Sequence, residues 1–110
     1  MMLRERLADA GVTLPPVAKP VAAYTPARLV GRQVWTSGQL PMVDGALPRV
    51  GHVGSDVSTE DARADARQCT LNALAAVGSV VDLDQVLRIT KVTVFVNSAP
   101  DFTDQALVAN

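Results

Sequence analysis

The helical period of the apolar residues is clearest between positions 58 and 77. Small apolar residues recur there about every 3.6 positions and form one stripe, made of Ala62, Ala66, Cys69, Ala73 and Ala76. Ser58 is placed to cap the first turn of this helix, with Asp61 three residues later. Weaker amphipathic patterns predict a first helix over residues 2–10 and a last helix over residues 102–110.

Strands are predicted where β-branched and aromatic residues cluster between turn signals. Residues 24–30 and 34–37 lie on either side of Gly31-Arg32, and this short spacing predicts a hairpin. Residues 86–96 predict a third strand, whose imperfect alternation is typical of a strand that is covered on both faces. Asp44-Gly45 predicts a further turn. Three strands and one long helix make a thin core, so we expect at least one more strand.

A proline-rich connector over residues 14–20 interrupts the chain after the first helix. We therefore predict an N-terminal helix and connector at residues 1–20 and one α+β domain at residues 21–110. A chain of 110 residues has room for one core. The last predicted helix has neither a cap nor a charged final turn. We therefore expect the domain to be incomplete at its C-terminal side.

Composition narrows the class of protein. The chain is 48% hydrophobic with a net charge of −1, which excludes disorder for most of its length. Ten basic against eleven acidic residues provide no positive surface for nucleic acid or for an anionic membrane. There is no apolar run of about 18 residues, and charges interrupt the N-terminus before a signal peptide can form. We expect a cytoplasmic protein.

The chain offers few residues for metal or nucleophilic chemistry. Its single histidine and single cysteine lie at unrelated positions, so we predict no metal site. His52 is predicted to lie exposed in a glycine-flanked loop. Cys69 is predicted to be a buried, unreactive thiol, because it falls in the middle of the apolar stripe. No glycine-rich phosphate loop and no serine hydrolase motif is present.

Two segments place polar groups at the ends of predicted strands. The first is V-W-T-S-G-Q-L-P at residues 34–41, where the Ser37 hydroxyl and the open backbone of Gly38 follow a strand. The second is L-R-I-T-K-V-T-V-F-V-N-S-A-P-D-F at residues 87–102. On physical grounds alone, the first is also explained by a strand that ends in a turn, and the second by a strand that runs into a helix.

Together with the alanine-rich helix between them, these two segments resemble the reactive intermediate deaminase family. This is the RidA or YjgF-like group, which also carries the label endoribonuclease L-PSP. The resemblance covers residues 21–110, and the N-terminal L-R-E-R-L-A-D-A-G-V-T-L-P-P resembles a longer branch of the family.

The resemblance implies a chorismate-mutase-like α+β fold, a βαβ sandwich with a mixed sheet packed on helices, assembled as a homotrimer with clefts between subunits. It implies hydrolysis of 2-aminoacrylate and related enamines and imines to 2-keto acids and ammonia, with no metal and no cofactor. Two alternatives stay open. One is a non-enzymatic trimeric member that binds or senses a small metabolite, and the other is a ribonuclease, which the acidic charge balance disfavours.

The resemblance also implies which residues would bind a 2-imino or 2-keto acid. Tyr24 matches the family's pocket tyrosine, Ser37 and Gly38 match the pair at the pocket floor, and Asn110 matches an asparagine of the second helix. In the family, the arginine that binds the ligand carboxylate and the acid that orients the water lie further along the sequence than the position matched by Asn110. No catalytic residue is therefore assigned, and we expect the bidentate cation for the ligand carboxylate to be absent from these 110 residues.

Overall fold

A computed structural model describes residues 2–19 and 22–110 of the chain. Its elements in chain order are helix α1 (Leu3–Asp9), strands β1 (Ala27–Val30) and β2 (Gln33–Thr36), helix α2 (Thr59–Gly78), a 3₁₀ turn (Leu83–Gln85) and helix α3 (Gln105–Ala109). The predicted boundary between residues 20 and 21 lies outside the described residues.

Helix α2 forms where its periodicity predicts, shifted by one residue at each end. The Ser58 hydroxyl accepts a hydrogen bond from the Asp61 N–H at 3.0 Å, which satisfies one of the free donors of the first turn. Glu60 and Asp61 lie in that turn and interact favourably with the helix dipole. The alanines of the stripe are buried or half-buried, and Ala76 is fully buried. The predicted helix and its cap are therefore confirmed.

The hairpin also forms, but it is shorter than predicted. β1 and β2 pair antiparallel from Ala27↔Thr36 to Val30↔Gln33, and Gly31 adopts a φ of +59° in the turn between them. Tyr24 precedes β1 and Ser37 follows β2, so neither belongs to a strand. The reason is Pro26, which has no N–H to donate and cannot continue the ladder.

The predicted strand at residues 86–96 forms no β-ladder with the described residues, and this prediction is corrected. Its sequence pattern encodes strand propensity, whereas a strand also needs a neighbouring backbone to bond to. An isolated parallel bridge between Val53 and Ser98 joins the end of this segment to the rest of the chain. Most of its large apolar side chains are exposed: Leu87, Ile89, Val92, Val94 and Phe95.

The core lies between α2, α3 and the loop that precedes α2. Its buried residues are Val53, Val57, Ala62 and Val108, with Ala66, Val96 and Phe102 packed against them.

The last helix is shorter than the predicted 102–110. Residues 99–102 form a separate turn, with the Phe102 N–H donating to the Ala99 carbonyl, and the Gln105 side chain donates to the Phe102 carbonyl at the start of α3.

Helix α1 packs on the 3₁₀ turn. The backbone N–H of Arg4 donates to the Asp84 carboxylate at 3.0 Å, and its guanidinium donates to Asp82 at 3.1 Å. The Asp84 backbone N–H and then the Arg4 guanidinium bind Asp82, which lowers the pKa of its carboxyl. Gly11 follows the helix with a φ of +71°, the left-handed conformation with which many helices end.

Within residues 2–19 and 22–110, none of the helices combines the length and the apolar character needed to cross a membrane.

Candidate functional site

A small cavity lies at the open end of the hairpin, just beyond its last paired residues. It is walled by the connector at Ala18 and Lys19, by Tyr24 and Pro26 before β1, and by residues 38–40 and 42 after β2. Its volume is about 20 Å³, room for about one water molecule. The structure thus places Tyr24 and Gly38 in the wall of one cavity.

Ser37 closes the hairpin from behind this cavity. Its backbone N–H donates to the Pro26 carbonyl at 2.9 Å, and its hydroxyl donates to the same oxygen at 3.2 Å. These two bonds hold Pro26, and with it the short segment that joins Pro26 to Tyr24, against the start of the loop that contains Gly38. Ser37 lies next to the cavity but is not in its wall, and its hydroxyl proton is engaged within the chain.

Gly38 lies in open space. A Cβ built at this position meets no atom within 4 Å, and its φ is not positive. The fold of the chain therefore does not require glycine at this position, which separates any functional requirement for Gly38 from a structural one.

Asn110 lies on a different element from the residues of this cavity wall, at the C-terminal end of α3. It ends α3 and is exposed, and its backbone carbonyl accepts a long hydrogen bond of 3.4 Å from the Arg63 guanidinium. α3 packs on α2 through the core residue Val108. Asn110 is not in the wall of this cavity, so the structure does not bring it to Tyr24 and Gly38.

The loop after β2 is held by Asn72 of α2, a residue that the sequence analysis missed. Asn72 is 1% exposed and is the one buried polar side chain among residues 2–19 and 22–110. Its amide nitrogen donates to the Leu40 carbonyl at 3.0 Å and to the Met42 carbonyl at 3.1 Å. The available signal was its position on the apolar stripe, three residues after Cys69 and four before Ala76.

A larger cleft of about 410 Å³ adjoins the small cavity. The connector from Pro15 to Lys19 forms one side, the turn from Met42 to Gly45 forms another, and Gln68 and Asn72 of α2 form the floor. Asp44 and Gly45 both have positive φ values, 51° and 80°, so the predicted Asp-Gly turn is confirmed as one with left-handed central residues. This volume is within the range of small-molecule sites.

The charged groups near the two cavities are few. Lys19 is the one basic side chain in the walls of both cavities, counted over the described ranges. Arg49 is engaged elsewhere: its guanidinium donates to the Asp61 carbonyl at 3.1 Å and pairs with Asp65, which fastens the loop before α2 to that helix. None of the described arginines lies in either cavity wall.

His52 is exposed as predicted, whereas Cys69 is half-buried rather than fully buried. His52 is exposed in its loop, where its backbone N–H donates to the Asp56 carboxylate at 2.6 Å and thereby lowers the pKa of that carboxyl. Cys69 is half-buried on α2, and burial followed by the nearby Asp65 carboxylate raises the pKa of its thiol. Over residues 2–19 and 22–110, no three histidine, cysteine or acidic side chains group so as to hold a metal ion.

We expect Cys69→Ala to leave ligand binding and any activity unchanged and to lower the free energy of unfolding by about 1 kcal/mol, because only one small half-buried group is lost. The native thiol should also react slowly with a thiol reagent at pH 8, because its raised pKa keeps it protonated. Urea unfolding and a timed thiol titration measure the two effects. A thiol that reacts as fast in the native protein as in urea would contradict this placement.

Comparison with known proteins places these features in a family. A family model described as "YjgF/chorismate_mutase-like, putative endoribonuclease" matches residues 4–106. Protein TCP17 of Trypanosoma cruzi is 39% identical over 101 residues, which are 91% of this chain and 63% of that protein.

Two crystal structures are similar to this chain. One is described as a "putative endoribonuclease" from Shewanella oneidensis. It is 38% identical with a TM-score of 0.65, over 72% of this chain and 52% of that one. The other, the protein Atu1372 of unknown function from Agrobacterium tumefaciens, is 37% identical with a TM-score of 0.76, over 96% of this chain and 65% of that one.

The chain spans between about half and just under two thirds of the length of these three proteins. The family match nevertheless covers nearly all of this chain, and both structures share its fold at well over a third identity. The resemblance drawn from residues 34–41 and 87–102 and the predicted α+β fold class are confirmed. The chain belongs to the YjgF/chorismate-mutase-like family and has its α+β fold.

Proposed function

We propose that the protein hydrolyses small enamines and imines such as 2-aminoacrylate and its imine tautomer. Water adds to the imine carbon, the C–N bond breaks, and the products are a 2-keto acid and ammonia. No oxidant, metal or cofactor enters this balance. The proposed ligand-binding residues are Tyr24 and Gly38 in the cavity wall and Ser37 beside it, whose hydroxyl oxygen can still accept a hydrogen bond, with Asn110 as a further candidate from the family resemblance.

The observation that carries this proposal is the common wall formed by Tyr24 and Gly38. Tyr24 is 40% exposed at this wall, so its ring and hydroxyl are accessible from solvent. Gly38 begins a loop whose first three residues, Gly38 to Leu40, donate no backbone hydrogen bond to any described residue. These peptide N–H groups are suited to bind a carboxylate oxygen, and a glycine lets the ligand approach the backbone closely.

The cavity of one subunit is too small for the proposed ligand. About 20 Å³ holds a water molecule, whereas a three- or four-carbon acid needs several times that volume. We therefore propose that the site is completed in a homotrimer, with a neighbouring subunit forming the opposite wall. Among the described residues, Lys19 is the one cation in the cavity wall and is the group available to attract a carboxylate.

A second candidate function is binding of a small 2-keto or 2-imino acid without turnover. It is favoured by the side chains in the wall of the small cavity, which include no histidine and no acid among the described residues. Activation of water calls for such a base within hydrogen-bond reach. Release of ammonia from freshly generated 2-aminoacrylate, measured against its uncatalysed decay, discriminates the two functions. Cleavage of RNA without release of ammonia would instead favour the ribonuclease.

We expect Gly38→Val to lower ligand binding and turnover at least tenfold while leaving the assembly and the free energy of unfolding unchanged. The valine side chain would occupy the approach to the loop backbone, yet its Cβ meets no atom of the chain within 4 Å. Titration with 2-ketobutyrate and the rate of ammonia release measure the effect. The matched control is Ala46→Val, which adds the same branched group at an exposed residue of the next turn. Full turnover in Gly38→Val would remove this loop from the site.

A further inference from the structure

The buried amide of Asn72 lies directly behind the proposed ligand-binding loop. Three of its hydrogen-bonding positions are filled: the nitrogen donates to the carbonyls of Leu40 and Met42, and the oxygen accepts from the Gln68 amide at 3.0 Å. The side chain is 1% exposed, and no buried side-chain nitrogen or oxygen among the described residues lacks a partner. Because these hydrogen bonds satisfy the buried amide and two of them go to the loop, Asn72 is a specific anchor for the loop and is more than a polar residue tolerated in the core.

The segment from Gly38 to Met42 depends on this anchor. It leaves the hairpin after Thr36, and its residues make no backbone–backbone hydrogen bond with any described residue. Pro41, between the two anchored carbonyls, has no N–H to contribute. Within the described ranges, the two bonds from Asn72 are therefore the hydrogen bonds that fix the course of this segment.

The anchored segment forms half of the cavity wall. Gly38, Gln39, Leu40 and Met42 are four of the eight residues around the small cavity. Two of these four carry the carbonyl oxygens that Asn72 binds. The side chain of Asn72 itself does not reach the small cavity and lies in the wall of the larger cleft behind it.

We infer that Asn72 is a positioning residue, which holds the backbone from Gly38 to Met42 in the shape that receives the ligand. This inference rests on the proposed function for the identity of the ligand, but the hold on the loop can be measured without it. Asparagine is specific for this task because it donates two hydrogen bonds from one nitrogen. A leucine has no donor, and an aspartate of the same shape turns acceptor oxygens toward the two carbonyls.

The test compares Asn72→Asp with the parent protein in two measurements. The NMR order parameters of the Gln39, Leu40 and Met42 amides should fall from about 0.85, typical of rigid backbone, to below about 0.6, while those in the middle of α2 stay near 0.85. The Kd for 2-ketobutyrate, and the KM for 2-aminoacrylate, should rise at least tenfold with a smaller change in kcat. A merely structural role would lower the order parameters throughout α2 and would not separate KM from kcat.

Two further variants complete the test. Thr70→Val is the control on the same helix, because it removes a hydroxyl that bonds only to the Ala66 carbonyl at 3.0 Å, and we expect it to leave both measurements unchanged. Asn72→Ser retains one donor and keeps the test informative if the aspartate does not fold; its order parameters and Kd should fall between those of the parent and of Asn72→Asp.

The outcomes separate this inference from the proposed function. If the parent binds 2-ketobutyrate and both Asn72 variants bind it equally well, the inference is overturned and the proposed function stands. Unchanged order parameters of the Gln39, Leu40 and Met42 amides overturn the inference whatever the activity. A parent protein that neither binds 2-ketobutyrate nor releases ammonia overturns the proposed function, and the assignment of Asn72 to a ligand site with it.

Discussion

Replacement of Gly54 by alanine is expected to lower the free energy of unfolding by about 2–4 kcal/mol, a large share of the stability of a small domain. Gly54 has a φ of +90°, which side chains rarely adopt. A Cβ at this position would lie 2.7 Å from the Phe102 ring and 2.9 Å from the Phe102 Cβ. Backbone strain and overpacking each cost about 1–3 kcal/mol, and both act at this residue.

The cost at Gly54 arises from the way the core closes. Gly54 lies in the tight loop between Val53 and Val57, whose side chains form the core with Val108. Phe102 packs against the same cluster from the turn before α3, so it cannot move away from an added methyl group without opening the core. A side chain at position 54 would therefore disturb the packing of Phe102, and with it the attachment of α3 to the core.

Urea unfolding of Gly54→Ala, with Gly31→Ala as its control, measures this effect. Gly31 also has a positive φ, +59°, but a Cβ there meets nothing within 4 Å. We therefore expect Gly31→Ala to show the strain of the backbone alone, about 1–2 kcal/mol. Equal losses in the two variants would mean that the contact with Phe102 contributes nothing.

Local signals in the sequence predict much of this fold. Helix α2 is predicted because its cap, its acidic first turn and its alanine stripe lie within twenty residues and agree with one another. The hairpin is predicted for the same reason, since a glycine turn joins two short β-prone segments. Its predicted first strand begins too early, because Pro26 has no N–H to donate and the ladder starts only at Ala27.

Features that depend on distant residues could not be predicted in the same way. The run of β-prone residues at 86–96 has the composition of a strand, but whether it pairs depends on which backbone lies beside it. Asn72 interrupts an alanine stripe, and periodicity alone treats such a residue as a defect. Its function becomes visible only when the carbonyls of Leu40 and Met42, thirty residues earlier in the chain, are brought to it by the fold.

The same limit applies to the candidate site. The family resemblance implies that Tyr24, Ser37 and Gly38 bind the ligand together. In the structure, Tyr24 and Gly38 lie in one cavity wall, whereas Ser37 lies behind it and bonds to the Pro26 carbonyl. Lys19 could not be singled out from the sequence, because the connector that carries it has no helical or strand pattern to place it. Its position in the wall follows from the course of the connector past the loop after β2.

We expect the protein to form a trimer in solution, and Phe95→Asp to convert it to a monomer. The side chain of Phe95 is 93% exposed in the single chain, and Leu87 is 84% exposed, so the segment at residues 86–96 presents a large apolar surface to solvent. Burying one phenylalanine contributes about 1.5–3 kcal/mol. A trimer buries three, and a carboxylate at each copy would instead have to be desolvated without a partner.

Light scattering at micromolar concentration measures the assembly. The parent should have three times the chain mass of 11.6 kDa, and Phe95→Asp should have the mass of one chain. Ala64→Asp is the control, because it adds the same charge on the exposed side of α2 and should leave the trimer intact. Because the proposed site is completed by a neighbouring subunit, Phe95→Asp should lose ammonia release together with the trimer. A parent protein that is monomeric under these conditions, or a Phe95→Asp variant that stays trimeric, would contradict this account of how the apolar segment is covered.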